Sequence, residues 1–184
     1  WDLPSVVFDR DWAPIQELVE EAIQSGFSHF RLNNPAHLQL FDSSVTVHLT
    51  AGPWLYTLNS IAVGVMRDMG IRACDLSIDD DRGNFGALLT NSSPEGLIIT
   101  TFSPVELFTS RVPAPARDQE TLLENDRGDV LSLQEKHGLT ITRARKSFSL
   151  MGRIQQLRKM GFSNFNIDLR GIGFLSEEGQ EILQ

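Results

Sequence analysis

The residues of this chain that could do chemistry fall into four sets spaced two apart: His29, Arg31 and Asn33; Thr46, His48 and Thr50; Asp75, Ser77 and Asp79; and Asn166, Asp168 and Arg170. A spacing of two puts each set on one face of an extended strand. His48 is a candidate acid or base, because imidazole titrates near neutrality. Arg31 and Arg170 are candidate anion clamps, since a guanidinium offers paired donors to an oxyanion. A simpler reading of the same residues is an internal ion-pair network. In it Asp75 and Asp168 neutralise the two arginines, because an unpaired charge in such a space is costly.

Other chemistry is thin. No Gly-rich phosphate loop, His-x-x-x-His pattern or Gly-x-Ser-x-Gly elbow is present. Asp79-Asp80-Asp81 with Asn84 offers oxygen ligands to a divalent ion but lacks calcium-loop spacing, so it reads as an exposed loop and no metal site is assigned. The single cysteine, Cys74, reads as a buried structural thiol and excludes an internal disulfide.

The elements that must position these residues alternate. The stretch from Val45 to Asp80 reads as strand, tight loop, amphipathic helix and second strand. Its helix starts near Trp54, with a stripe of Leu55, Leu58, Ile61, Ala62, Val65 and Met69. Further strands are expected at Val6–Phe8, Phe27–Asn33, Leu97–Thr101 and Phe165–Leu169, with helices after Pro14, at Phe148–Met160 and after Ser176. Pro104 to Glu124 reads as a long loop and residues 129–146 as an inserted hairpin turning at Lys136-His137-Gly138.

Strand-helix alternation predicts a single α/β domain over residues 1–184, with about six mainly parallel strands. Parallel strands covered on both faces read as continuous apolar runs, and these are polar on one side, so helices are expected on one face only. In a barrel the carboxyl ends of the strands would bring Asn33, Thr50, Asp79, Thr101 and Arg170 around a mouth.

A formal charge of −8 argues against broad phosphate binding. Lys136 to Lys159 nevertheless runs basic without an acidic residue, so Lys136 to Lys146 is a local candidate for RNA. No apolar run spans a membrane and no signal peptide opens the chain, so the expectation is a cytoplasmic protein.

Several segments together resemble the collagenase-like peptidase family, U32. Tyr56-Thr57-Leu58-Asn59-Ser60 is similar to its Asn-x-x-Asn-Ser element, and Glu106-Leu107-Phe108-Thr109-Ser110-Arg111 to the end of its Pro-Leu-Met-x-Ser-Arg stretch. Asp126-Arg127-Gly128, Phe148-Ser149-Leu150 and Phe165 to Arg170 are similar to its closing elements. The resemblance, running from about Phe27 to Arg170, implies the later part of a TIM-type β/α barrel and peptidase activity of unassigned mechanism. Members also serve in hydroxylating RNA bases or quinone precursors, with an iron–sulfur cluster held by four cysteines. Phe102-Ser103 replaces the family's His-Gly, and Cys74 alone cannot hold a cluster, so no cofactor is assigned.

As a peptidase, the chain would use His48, Asp79, Ser103 and Glu106 as the groups to mutate first. Arg31, Asn33, Thr50, Asn59, Arg111, Asp168 and Arg170 would hold a peptide or protein substrate. The alternatives are a non-catalytic module binding RNA or a protein, and a structural domain whose open sheet edges pair with further strands or a second copy.

Overall fold

Strands of four residues flanked by glycine or polar turns are too short to stand alone, and here they assemble side by side. The computed structural model describes residues 1–42, 46–113 and 121–183; Val45 and Pro115 lie outside the described residues. In chain order the elements are α1 (Asp9–Gln24), β1 (His29–Leu32), β2 (His48–Ala51), α2 (Ser60–Asp68), β3 (Ala73–Leu76), α3 (Arg82–Asn91) and β4 (Leu97–Ser103). There follow β5 (Glu106–Ser110), β6 (Thr121–Glu124), β7 (Val130–Lys136), β8 (Leu139–Ala144), β9 (Phe148–Ser149), α4 (Ile154–Met160), β10 (Asn164–Ile167) and α5 (Glu177–Leu183).

The fold is mixed α/β. One sheet runs β1-β2-β3-β4-β10, with β9 antiparallel on β4, and the order places β1 and β10 at its two ends. His29 stands opposite His48, Thr50 opposite Ala73 and Asp75 opposite Ile98, all in parallel register. The sixth parallel strand expected at Val6–Phe8 does not form. Phe8 instead precedes α1, whose first turn carries Asp9 and Asp11, acids that a helix amino terminus favours. The place beside β1 goes to the segment before it, where the Arg31 N–H donates to the Trp1 carbonyl and the Leu3 N–H to that of Arg31. Pro14 lies inside α1 rather than opening it.

The chain divides into two compact units: residues 1–100 with 155–166, and residues 101–154 with 167–184. The core of the first lies on the side of its strands that carries Phe30, Leu32, Leu49, Ala51, Cys74, Leu76, Leu97 and Ile99, packed with Val19, Val63, Leu88 and Phe162. The α2 stripe is reversed from expectation. Val63 is fully buried, while Ile61 is 78% exposed and Leu58, Val65 and Met69 also face outward. The helix starts at Ser60, where Asn59 caps the Ala62 N–H, because the left-handed Tyr56 ends a short 3₁₀ turn first.

In the second unit the expected hairpin is present as β7 and β8, and the left-handed His137 and Gly138 make its tight turn. The expected loop before it is in part strand. β5 pairs with β8 and β6 with β7, giving a four-stranded antiparallel sheet ordered β5-β8-β7-β6. Among the described residues no helix is long and apolar enough to cross a membrane.

Candidate functional site

On the face of β1 to β4 and β10 opposite the core, the polar residues meet. Asp75 is wholly buried; it accepts from Thr100 Oγ1 at 2.9 Å and Asn166 Nδ2 at 3.3 Å. Asn166 Nδ2 also donates to Thr100 Oγ1 at 3.1 Å. Arg31 Nη2 lies 3.6 Å from Asp75 Oδ2, so the carboxylate has both hydrogen bonds and a counter-ion. The internal ion-pair reading of Arg31 and Asp75 is what forms.

An open groove of about 1180 Å³ adjoins this network, lined by Arg31, Arg67, Arg72, Glu95, Asn164 and Asn166 among others. It runs from the starts of β3, β4 and β10, the amino ends of the strands. Two of its arginines are fixed by local bonds: Arg67 Nη2 donates to the Ser93 and Glu95 carbonyls, and Arg72 Nη1 lies 3.4 Å from His48 Nδ1. The His48 ring stacks on His29 with centroids 4.6 Å apart, a consequence of their paired register.

The carboxyl ends are built differently. Asn33 Nδ2 donates to Asp2 Oδ1 and to the Leu3 carbonyl, both at 2.7 Å, and Gly52 leaves the space that the Asn33 amide oxygen occupies. Asn33 Oδ1, both His37 ring nitrogens and Thr57 Oγ1 are buried without a hydrogen-bond partner among the described residues. Burial lowers the His37 pKa from its ordinary value, with the Asp2 charge working the other way. In the acidic loop Asp81 accepts the Asn84 N–H and caps α3, while Asp80 Oδ2 accepts from Asn84 Nδ2 at 2.6 Å. Among the described residues no three His, Cys, Asp or Glu side chains gather as metal ligands. Burial pushes the Cys74 thiol up to about 11, so it is unreactive in the folded chain.

In the second unit Ser103 Oγ lies 2.9 Å from the Pro104 carbonyl and 3.2 Å from Asp168 Oδ2, while Arg170 fastens Asp168 through Nε and Nη2. Burial pushes the Asp168 carboxyl up. The Arg170 hydrogen bonds and charge, with the Ser103 hydroxyl, outweigh that and hold it below its ordinary value. Glu106 is held by Arg143 at 2.6 Å, and Arg111 is exposed beyond β5.

Of the candidate residues, Arg31 alone lines the groove, with Asn166 and Asp75 of the same polar face at or beneath it. Thr50 lies beside Arg31 in register. Asn59 is spent as a helix cap. His48, Ser103 and Glu106 each have a partner outside the set of four, and His48 and Asp79 sit at opposite ends of the first sheet. Sequence reasoning passed over Arg67, Arg72, His37 and Thr57. Arg67 and Arg72 flank Gly70 at the turn into β3, the end opposite the mouth that a barrel predicts; His37 sits three before Leu40 on a short apolar turn, which was the one signal of its burial.

Comparison with family models, curated proteins and solved structures finds no match for this chain.

Proposed function

We propose that the chain is a non-catalytic binding module built on part of a TIM-type β/α barrel, related to the collagenase-like peptidases, and that it takes a stretch of single-stranded RNA in the groove of its first unit. The groove itself carries this reading. Its volume, about 1180 Å³, lies above the ~300–1,000 Å³ usual for small-ligand pockets, which favours a polymer segment. Three arginines line it beside the carboxylate of Glu95, with the buried Asp75 paired to Arg31 beneath, which leaves a net positive balance suited to an anionic polymer. Its position at the amino ends of the strands also fits binding better than chemistry, which barrel enzymes run at the carboxyl ends.

The test is binding of a short unstructured RNA across a salt series. Up to three phosphate contacts predict a log–log slope of about −2, reduced in magnitude by about 0.7 for each of Arg31→Met and Arg72→Met. Salt-independent retention, or no retention at low salt, would end the RNA reading.

Peptidase activity is the second reading, favoured by the hydrogen bond between Ser103 and Asp168. A carboxylate held at low pKa is a poor base, however, so little activation of the hydroxyl is expected. Alanine variants of His48, Asp79, Ser103 and Glu106 assayed on an unfolded protein substrate decide it; uniform activity across all four would remove the assignment.

A further inference from the structure

The second unit holds a cleft of about 300 Å³ lined by Arg143, Arg145, Arg170 and Glu178, with Glu106 and Asp168 paired to the first and third of these arginines. Two of the three are aimed by partners. Arg143 is fixed through Nε and Nη2 to Glu106 and through Nη1 to Gln134 Oε1 at 3.1 Å, and Arg170 is fastened to Asp168. Arg145, one residue past β8 and exposed, makes no side-chain hydrogen bond or ion pair to a described residue. A guanidinium with no counter-ion beside two fixed ones is a site that attracts an oxyanion.

The backbone adds to it. Gly171 adopts φ +85°, and a Cβ there would come 3.8 Å from Arg143 Nη1, so the turn after β10 lies against the β8 guanidinium. Within that turn the Ile172 and Gly173 N–H groups both donate to the Leu169 carbonyl. The Gly171 N–H takes no part in those bonds, and Ser147 lines the same cleft.

We propose that this cleft binds the phosphate of a small phosphomonoester. The dianion, with three terminal oxygens, can bond the Arg145 guanidinium and the Gly171 N–H together, a reach that a carboxylate with two oxygens does not give. The cleft volume is at the lower end for small-ligand sites and fits a short ester rather than a polymer. The proposal does not depend on RNA binding by the first unit and stands or falls separately.

Titration of the intact chain, followed by backbone amide shifts, tests it with inorganic phosphate, glycerol 3-phosphate and, at matched ionic strength, chloride. Saturable shifts at Arg145, Gly171 and Ile172 with both phosphates and not with chloride are expected. Arg145→Glu should weaken binding by about tenfold or more, the effect of losing one charge-assisted hydrogen bond, and Arg145→Lys by less. A 5′-phosphorylated oligonucleotide against its 5′-hydroxyl form tells a nucleic-acid end from a small ester as the source of the phosphate. Shifts of equal size with chloride, or affinities unchanged in a folded Arg145→Glu variant, would overturn the assignment. Should that variant lose its native spectrum, Arg145→Gln replaces it under the same criteria.

Discussion

Arg31 Nη2 stands 3.6 Å from Asp75 Oδ2, and of the two side chains only that of Arg31 reaches solvent, at 24% exposure. The pair is therefore asymmetric: the carboxylate depends on the arginine, while the arginine retains part of its hydration. Removing the arginine takes this counter-ion from a buried carboxylate that keeps its hydrogen bonds, whereas neutralising the acid removes the buried charge itself.

Arg31→Met is accordingly expected to cost roughly 2–3 kcal/mol, below the full penalty for a buried pair because the guanidinium is partly solvated. Asp75→Asn should cost less because it leaves no buried charge, although only one of the two donors keeps an acceptor: Thr100 Oγ1 bonds Oδ1 and Asn166 Nδ2 bonds Oδ2, and the amide has one oxygen. Urea unfolding of both variants checks this. An Asp75→Asn loss larger than that of Arg31→Met would show that the carboxylate, not its neutralisation, holds the sheet.

The parity of the strands told which residues share a face, because alternation is a local property of extended backbone. It could not tell which side of a helix is covered. Helix α2 carries apolar residues around most of its circumference, and Val63 rather than the longer Ile61, Val65 and Met69 stripe faces the sheet. Val63→Ala should therefore cost about 1–2 kcal/mol, while Ile61→Ser should fall within about 0.5 kcal/mol of the parent. Thermal or urea midpoints of the two variants give the comparison directly. Equal losses would mean that the outer stripe is covered by something in solution.

The groove was least legible, for a different reason. Arg67 closes the last turn of α2 and Arg72 precedes β3, and their placement depends on partners far off in sequence, the carbonyls of residues 93 and 95 for Arg67 and the His48 ring for Arg72. Likewise, β5 and β6 contain exposed apolar side chains and proline-flanked ends that read as loop. Pairing with the hairpin makes them strands, and pairing is a long-range property that local propensity does not report.

Gly52 illustrates a constraint that composition conceals. A Cβ at this position would run into the Asn33 amide oxygen, yet Asn33 is pinned by two hydrogen bonds of 2.7 Å. Gly52→Ala must displace that amide and break its hold on Asp2 and Leu3, which should cost roughly 1–3 kcal/mol. With Asn33→Ala already in place the same change should cost much less, because the obstacle has gone. A double-mutant cycle measures the coupling, and strict additivity would show that Gly52 matters for another reason.

His37 and Asp168 give the chain two acid-sensitive steps in separate pH windows. Burial lowers the His37 pKa below 6.5, the Asp2 charge opposing, so the unfolded chain takes up this proton first. Its contribution is whole above about pH 6.5 and is lost as pH falls from there through the folded value. For Asp168, burial raises the pKa but the Arg170 and Ser103 interactions outweigh it and hold the carboxyl below 3.8. The unfolded chain again binds the proton first, so this contribution is present above about pH 4 and disappears at more acid pH. Urea midpoints followed from about pH 8 to pH 3 should fall in two stages. His37→Leu should flatten the upper stage and leave the lower one, and Asp168→Asn should do the reverse. An upper stage that survives His37→Leu would mean that another histidine carries it and that the buried ring is protonated without cost.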